Sequence, residues 1–298
     1  MSFTRRQLAL LVALTLVWGF NWPVMKVGIS GWPQAPDPYP PLSFRALSIW
    51  GGLPLLALAL HRMKVPFAVP RAHWGELLRL TVPNMLVWHV VMIVSLQALS
   101  SGRAAILGYT MPVFSALWGA WVFGDRISGR QWAGVAAAAV GVTLLLAHEF
   151  GRLAGAPLAA LAVVASACTW AYGTHRLRRT TLPVGTLTVA FWMTVITGVV
   201  VALAAWLLER GQWRWPSPRV QWAIAYNAVG VFAFAQVVWL VLARGLPPVA
   251  STISVMMIPV LGVFSGAIGL GEPLHWQDWA AVALLVLAIA AVLAPRRA

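Results

Sequence analysis

Cysteine occurs once in 298 residues, at Cys168 in an apolar stretch, so the chain carries no disulfide framework and no thiolate set for a metal. Acidic residues number only seven and charged residues make up 9% of the chain. No GxxxxGK[ST] loop, HExxH helix or nucleophile elbow occurs and the carboxylates do not cluster, which excludes ATP as the energy source and argues against an enzyme. No cofactor and no metal are implied. Of six histidines only His89 falls well inside an apolar segment.

What is abundant is apolar: 60% of residues are hydrophobic and the mean hydropathy is +0.80. A water-soluble globule of this length cannot reach those values without exposing much of that surface, so the chain reads as an all-α integral membrane protein. The net charge of +14 accompanies no basic helix face, which argues against nucleic acid and for insertion topology. Arg5-Arg6 before an apolar run is like a signal peptide, but the run continues to Val27 without a small-residue cleavage pattern and is expected to be a first span.

The stretch from Leu99 to Ala147 recurs from Leu246 to Ala294 at an offset of 147 residues without a gap. The offset pairs Pro112-Val113 with Pro259-Val260, Gly119-Ala120 with Gly266-Ala267, Gly124-Asp125 with Gly271-Glu272 and Trp132-Ala133 with Trp279-Ala280. The chain is therefore expected to be an internal duplication, residues 1–148 and 152–298. A hydrocarbon core needs about 20 residues of helix. Ten such segments are found near Gln7–Ile29, Leu42–Leu60, Trp74–Ala98, Arg103–Phe123, Gly129–Ala147, Ala156–His175, Val184–Leu208, Val220–Ala243, Val249–Leu270 and Leu274–Ala294. With the N-terminus inside, thirteen Lys and Arg residues face the cytoplasm and five face outward, which puts both termini in the cytoplasm. Five spans per half is an odd number, so the second five-helix half is expected to run in the opposite sense, the inverted repeat characteristic of secondary transporters.

Ten spans in two halves, Pro112 and Pro259 in the fourth span of each, the Gly124-Asp125 and Gly271-Glu272 exits, Trp132 and Trp279 after them, and Pro41-Leu42-Ser43-Phe44-Arg45 opening span two together resemble the EamA branch of the drug/metabolite transporter superfamily. Tyr109-Thr110-Met111-Pro112 and Thr169-Trp170-Ala171-Tyr172 are most similar to the branch's YddG-type exporters of aromatic amino acids. That resemblance implies an inner-membrane exporter. Met111 stands where the type often has an aromatic, which leaves a broader neutral range open.

Candidate site residues follow from depth and chemistry. No Asp or Glu lies at a midplane, so a substrate must be met by dipoles, amides, hydroxyls and rings. Trp18 and Trp170 hold comparable places in the first span of each half, near Asn21 and Tyr172, and an indole face can stack on an aromatic or cationic substrate. His89 and Gln236 correspond under the offset, and Tyr109, Met111, Trp239 and Met256 complete the expected pocket. Pro112 and Pro259 remove helical donors near mid-span and are expected hinges. Ser115, Gly119, Gly262 and Gly266 form small-residue stripes expected to pack helices closely. Lys26, Arg45, Glu76 and Arg79 fall near span ends, where long side chains are expected to snorkel.

The expected function is export of small metabolites, foremost amino acids, by alternating access, with the lipid bilayer and the substrate as partners and a monomer as the working unit. Lipophilic cations are the alternative cargo, and a membrane enzyme or scaffold is the remote one.

Overall fold

The computed structural model describes residues 4–29, 38–124, 126, 128–151, 156–238 and 248–293, with the backbone alone at 146, 149–151, 248–256 and 292–293. Regular structure among these residues is entirely helical. The helices are α1 (Arg5–Ile29), α2 (Pro41–Arg62), α3 (Trp74–Thr81), α4 (Val87–Ser95), α5 (Ser101–Gly108), α6 (Met111–Trp121), α7 (Gly129–Gly151), α8 (Pro157–Arg178), α9 (Thr186–Glu209), α10 (Pro218–Ala225), α11 (Pro248–Leu270) and α12 (Trp276–Leu293). Pro41, Pro157, Pro218 and Pro248 each open a helix, where a missing N–H leaves no bond unmade.

Six described stretches are long and apolar enough to cross a membrane: Arg5–Ile29, Pro41–Arg62, Arg71–Ser95, Pro157–Arg178, Thr186–Gln212 and Pro218–Val238. The third and the last contain π-helical segments, Val82–Leu86 and Tyr226–Ala235. In each segment an asparagine side chain donates to the carbonyl four residues back, Asn84 to Leu80 at 2.9 Å and Asn227 to Ala223 at 3.1 Å. These bonds compete with the backbone for its usual acceptor and favour the wider turn.

Packing repeats under the 147-residue offset. α1 lies along α11, as α8 lies along α5 and α6. α2 packs on α9 and α7 on α12, while Tyr226–Ala235 sits on α1 and α2 as Val82–Leu86 sits on α8 and α9. The turn glycines Gly124 and Gly271, also 147 residues apart, both adopt positive φ, +73° and +65°. Asp125, in the first exit, lies outside the described residues.

One end of the bundle is held by buried charge. Glu209 caps α2, accepting from the amides of Leu42 (2.9 Å) and Ser43 (2.7 Å) and from the Ser43 hydroxyl (2.7 Å). Glu272 does the same for α5 through the Ser101 amide (2.8 Å) and hydroxyl (2.7 Å) and the Gly102 amide (3.3 Å). Both carboxylates sit at the positive ends of helix dipoles. Lys26, far from snorkelling, is 3% exposed and donates to the carbonyls of Leu96 (2.8 Å), Gln97 (3.0 Å) and Leu99 (2.7 Å), just past the end of α4. These orphan acceptors offer the ammonium more than the interface would. Arg103 and Asp278 form a buried ion pair at 2.9 Å. Burial and the Glu209 carboxylate push the Tyr39 phenol above its ordinary range, against the opposing pull of Arg214. At the opposite end Arg176 pairs with Glu76 at 3.6 Å, partly open to solvent.

Candidate functional site

Four aromatic rings meet where the chain between α5 and α6 leaves the helix. α5 stops at Gly108; the Tyr109 amide closes back to Ala105 at 3.0 Å and the Thr110 amide to Leu107 at 3.3 Å, and α6 restarts at Met111 with Pro112 in its first turn. Proline cannot continue the α5 ladder, so the break falls just before it. Tyr109 packs edge-on against Trp22 of α1 at 6.2 Å between centroids. Trp22 meets Trp88 of α4 at 6.5 Å and 89°, and Trp88 meets Trp170 of α8 at 5.4 Å and 71°. These edge-to-face contacts place ring edges on the negative faces of their neighbours. The cluster thus joins three helices and the break.

Glycines let the rings in. A Cβ on Gly108 would stand 2.9 Å from Trp88 and 3.2 Å from Trp22, and one on Gly262 would stand 2.8 Å from Ala105 and 3.0 Å from Trp22. Gly262 therefore seats α11 against α5 and the central indole. Gly266, one turn on, lies against Ser101 and Glu272. Gly119 is buried in α6, and Ser115 carries a polar contact as well as packing: its hydroxyl lies 3.0 Å from His175 Nε2. Phe123 stacks on that imidazole at 4.9 Å and 11°, with the Arg179 guanidinium 4.2 Å above the Phe123 ring.

The expected site residues divide accordingly. Trp170 and Tyr109 stand in the aromatic cluster, and half-buried Met111 opens α6 beside it. Trp18, one turn before Trp22, packs instead with Leu11, Leu14, Phe234, Ala235 and Val238. Asn21 holds a buried Oδ1 without a partner. His89 is 8% exposed, lies 5.4 Å from the Phe232 ring and leaves its Nδ1 buried without a partner. Gln236 is half-buried just after the second π segment. Trp239 and the Met256 side chain lie outside the described residues. Pro259, unlike Pro112, stays inside a continuous helix. Trp22 and Trp88 are central in space although neither stands in the sequence-derived pocket; the signal that could have found Trp22 is Pro23 directly after it, which frees a carbonyl at Gly19. Arg45, expected at the interface, is 2% exposed.

Comparison with known proteins decides the family. The EamA-like transporter family matches residues 6–147 and again 154–294. The chain belongs to the EamA-like transporter family. It is a membrane transporter, not an enzyme. This EamA chain is 30% identical over 285 residues to the inner membrane transporter YedA of Escherichia coli K12, covering 95% of this chain and 89% of that one. It is 21% identical to the transporter YoaV of Bacillus subtilis, over 88% of each chain. A protein of E. coli K12 named as a probable amino-acid metabolite efflux pump is 25% identical over 57% of this chain and 52% of its own. A solved crystal structure shares the fold with a TM-score of 0.67 at 20% identity, over 97% of this chain and 96% of that one.

Proposed function

We propose that this EamA transporter exports small zwitterionic metabolites, amino acids foremost, by alternating access about two inverted five-span halves, residues 1–148 and 152–298. The observation that carries the reading is the Tyr109–Trp22–Trp88–Trp170 cluster at the helix break, where ring faces and freed backbone groups lie together in the interior. The repeated packing, paired π segments and paired left-handed glycines support the two-half architecture. With both termini cytoplasmic, the end held by Glu209, Glu272 and Asp278 is the outer one, and its buried polar contacts close it. Pro112 acts as the hinge of the first half, with its break ready-made, and Pro259 as that of the second. The relative named for amino-acid metabolite efflux supports the cargo class.

Counterflow in proteoliposomes tests this. Vesicles preloaded with unlabelled tryptophan, phenylalanine, threonine or methionine are expected to accumulate the labelled amino acid saturably. Uptake of tetraphenylphosphonium with none of any amino acid would overturn the cargo and leave the family assignment standing.

A further inference from the structure

Arg45 is a permanent cation without a carboxylate partner among the described residues. It lies in the first turns of α2, 2% exposed, in the motif Pro41-Leu42-Ser43-Phe44-Arg45. A guanidinium brings five N–H donors. One, on Nη2, meets the Met25 thioether sulfur at 2.8 Å, a weak acceptor. The Nε donor is buried and has no partner. The Phe232 ring lies 5.8 Å from the guanidinium carbon, and His89 sits 5.4 Å from that same ring.

The buried carboxylates among the described residues are engaged elsewhere. Glu209 holds the amides of Leu42 and Ser43, Glu272 holds Ser101 and Gly102, and Asp278 holds Arg103. Among the described residues none pairs with Arg45. Burying an unpaired charge costs more than a sulfur contact and a distant ring return. A site built this way is completed by an anion that comes from outside.

We propose that Arg45 is the carboxylate subsite of the transporter, so that the cargo is an α-amino acid rather than an amine. The inference rests on the amino-acid reading of the aromatic cluster. Met25, which touches Arg45, lies three residues beyond Trp22 on α1, about 4.5 Å of helix rise. The contact with the α2 cation, at Met25, and the first ring of the cluster, at Trp22, are thus one turn apart on α1, much as the carboxylate and the ring of an aromatic amino acid are set along its side chain. The fork of Nε and Nη donors suits a carboxylate bidentately. Asn21, on the Met25 face of α1 one turn before it, presents its unpartnered Oδ1 to accept from the ammonium group. His89 Nδ1 supplies a further polar contact beside the Phe232 ring.

The test compares tryptophan with tryptamine, which keeps the ring and the ammonium and lacks the carboxylate. Labelled uptake into preloaded proteoliposomes is measured for the wild type, Arg45→Lys and Arg45→Gln, with thermal unfolding in detergent reporting the folded state. The wild type is expected to move tryptophan and to ignore tryptamine as substrate and as competitor. Arg45→Gln is expected to lose tryptophan uptake roughly 10-fold or more, and Arg45→Lys to keep part of it, since the charge remains and the fork is lost. Equal transport of tryptophan and tryptamine by the wild type overturns the subsite while the aromatic site stands, and this comparison needs no variant to fold. Wild-type tryptophan uptake in Arg45→Gln overturns it equally. Transport of neither compound by the wild type overturns the subsite as drawn for an aromatic amino acid, and the threonine and methionine arms of the counterflow test then decide whether the amino-acid reading falls with it.

Discussion

Two residues show how far a side chain's place depends on what surrounds it. Lys26 and Arg45 both lie near helix ends, where the rule of snorkelling sends long cations to water. Lys26 turns inward because three carbonyls past α4 converge on its ammonium, and Arg45 is enclosed with Met25 of α1 and Phe232 of the second π segment against it. The carbonyls that hold Lys26 lie 70 residues or more away, and the ring beside Arg45, Phe232, lies on a distant segment of the chain. Trp22 was equally hidden: its importance comes from Gly108 and Gly262, which open the space it fills. Gly262→Val adds atoms where a Cβ alone would already stand 2.8 Å from Ala105. It is expected to destabilise the protein by about 1–3 kcal/mol through overpacking. Thermal unfolding in detergent reads this, and an unchanged midpoint would show that α11 does not bear on α5 and Trp22 as described.

Helices were the most legible level, because about 20 apolar residues between turn signals is a strong constraint in a bilayer. The break before Pro112 was legible for the same physical reason, the missing donor. Its twin was not: Pro259 obeys the same local chemistry and yet sits in an unbroken helix, so what differs is the packing around it. The π segments left no sequence mark beyond Asn84 and Asn227, which would be unremarkable polar residues without their bonds to Leu80 and Ala223. Helix caps supply the element-scale prediction. Glu272→Ala removes the acceptor of three donors at the start of α5, and Asp278 and Arg103 do not replace it. It is expected to cost about 1–3 kcal/mol, seen as a lower unfolding midpoint. A midpoint at the wild-type value would mean that Glu272 does not secure this end of the bundle.

At the scale of the molecule, the 147-residue offset was readable in the sequence, and the same offset relates the helix packing and the turn glycines. Substrate chemistry was less readable, since it depends on which rings converge from distant helices. The opposed orientation of the halves is testable at Arg126 and Pro273, exposed positions 147 residues apart. In a Cys168→Ala background, Pro273→Cys is expected to react with a membrane-impermeant maleimide on intact cells, and Arg126→Cys only after permeabilisation. Labelling of both from the same side would contradict the inverted arrangement. The account turns most on the aromatic cluster as the place where substrate sits. Equilibrium binding of labelled tryptophan to the purified transporter, compared between the wild type, Trp88→Ala and Trp215→Ala, measures that directly. Trp88 stands between Trp22 and Trp170, whereas Trp215 is 85% exposed. The account predicts affinity weakened roughly 2- to 10-fold or more by Trp88→Ala and unchanged by Trp215→Ala, with both variants folded; equal affinity in all three would contradict it.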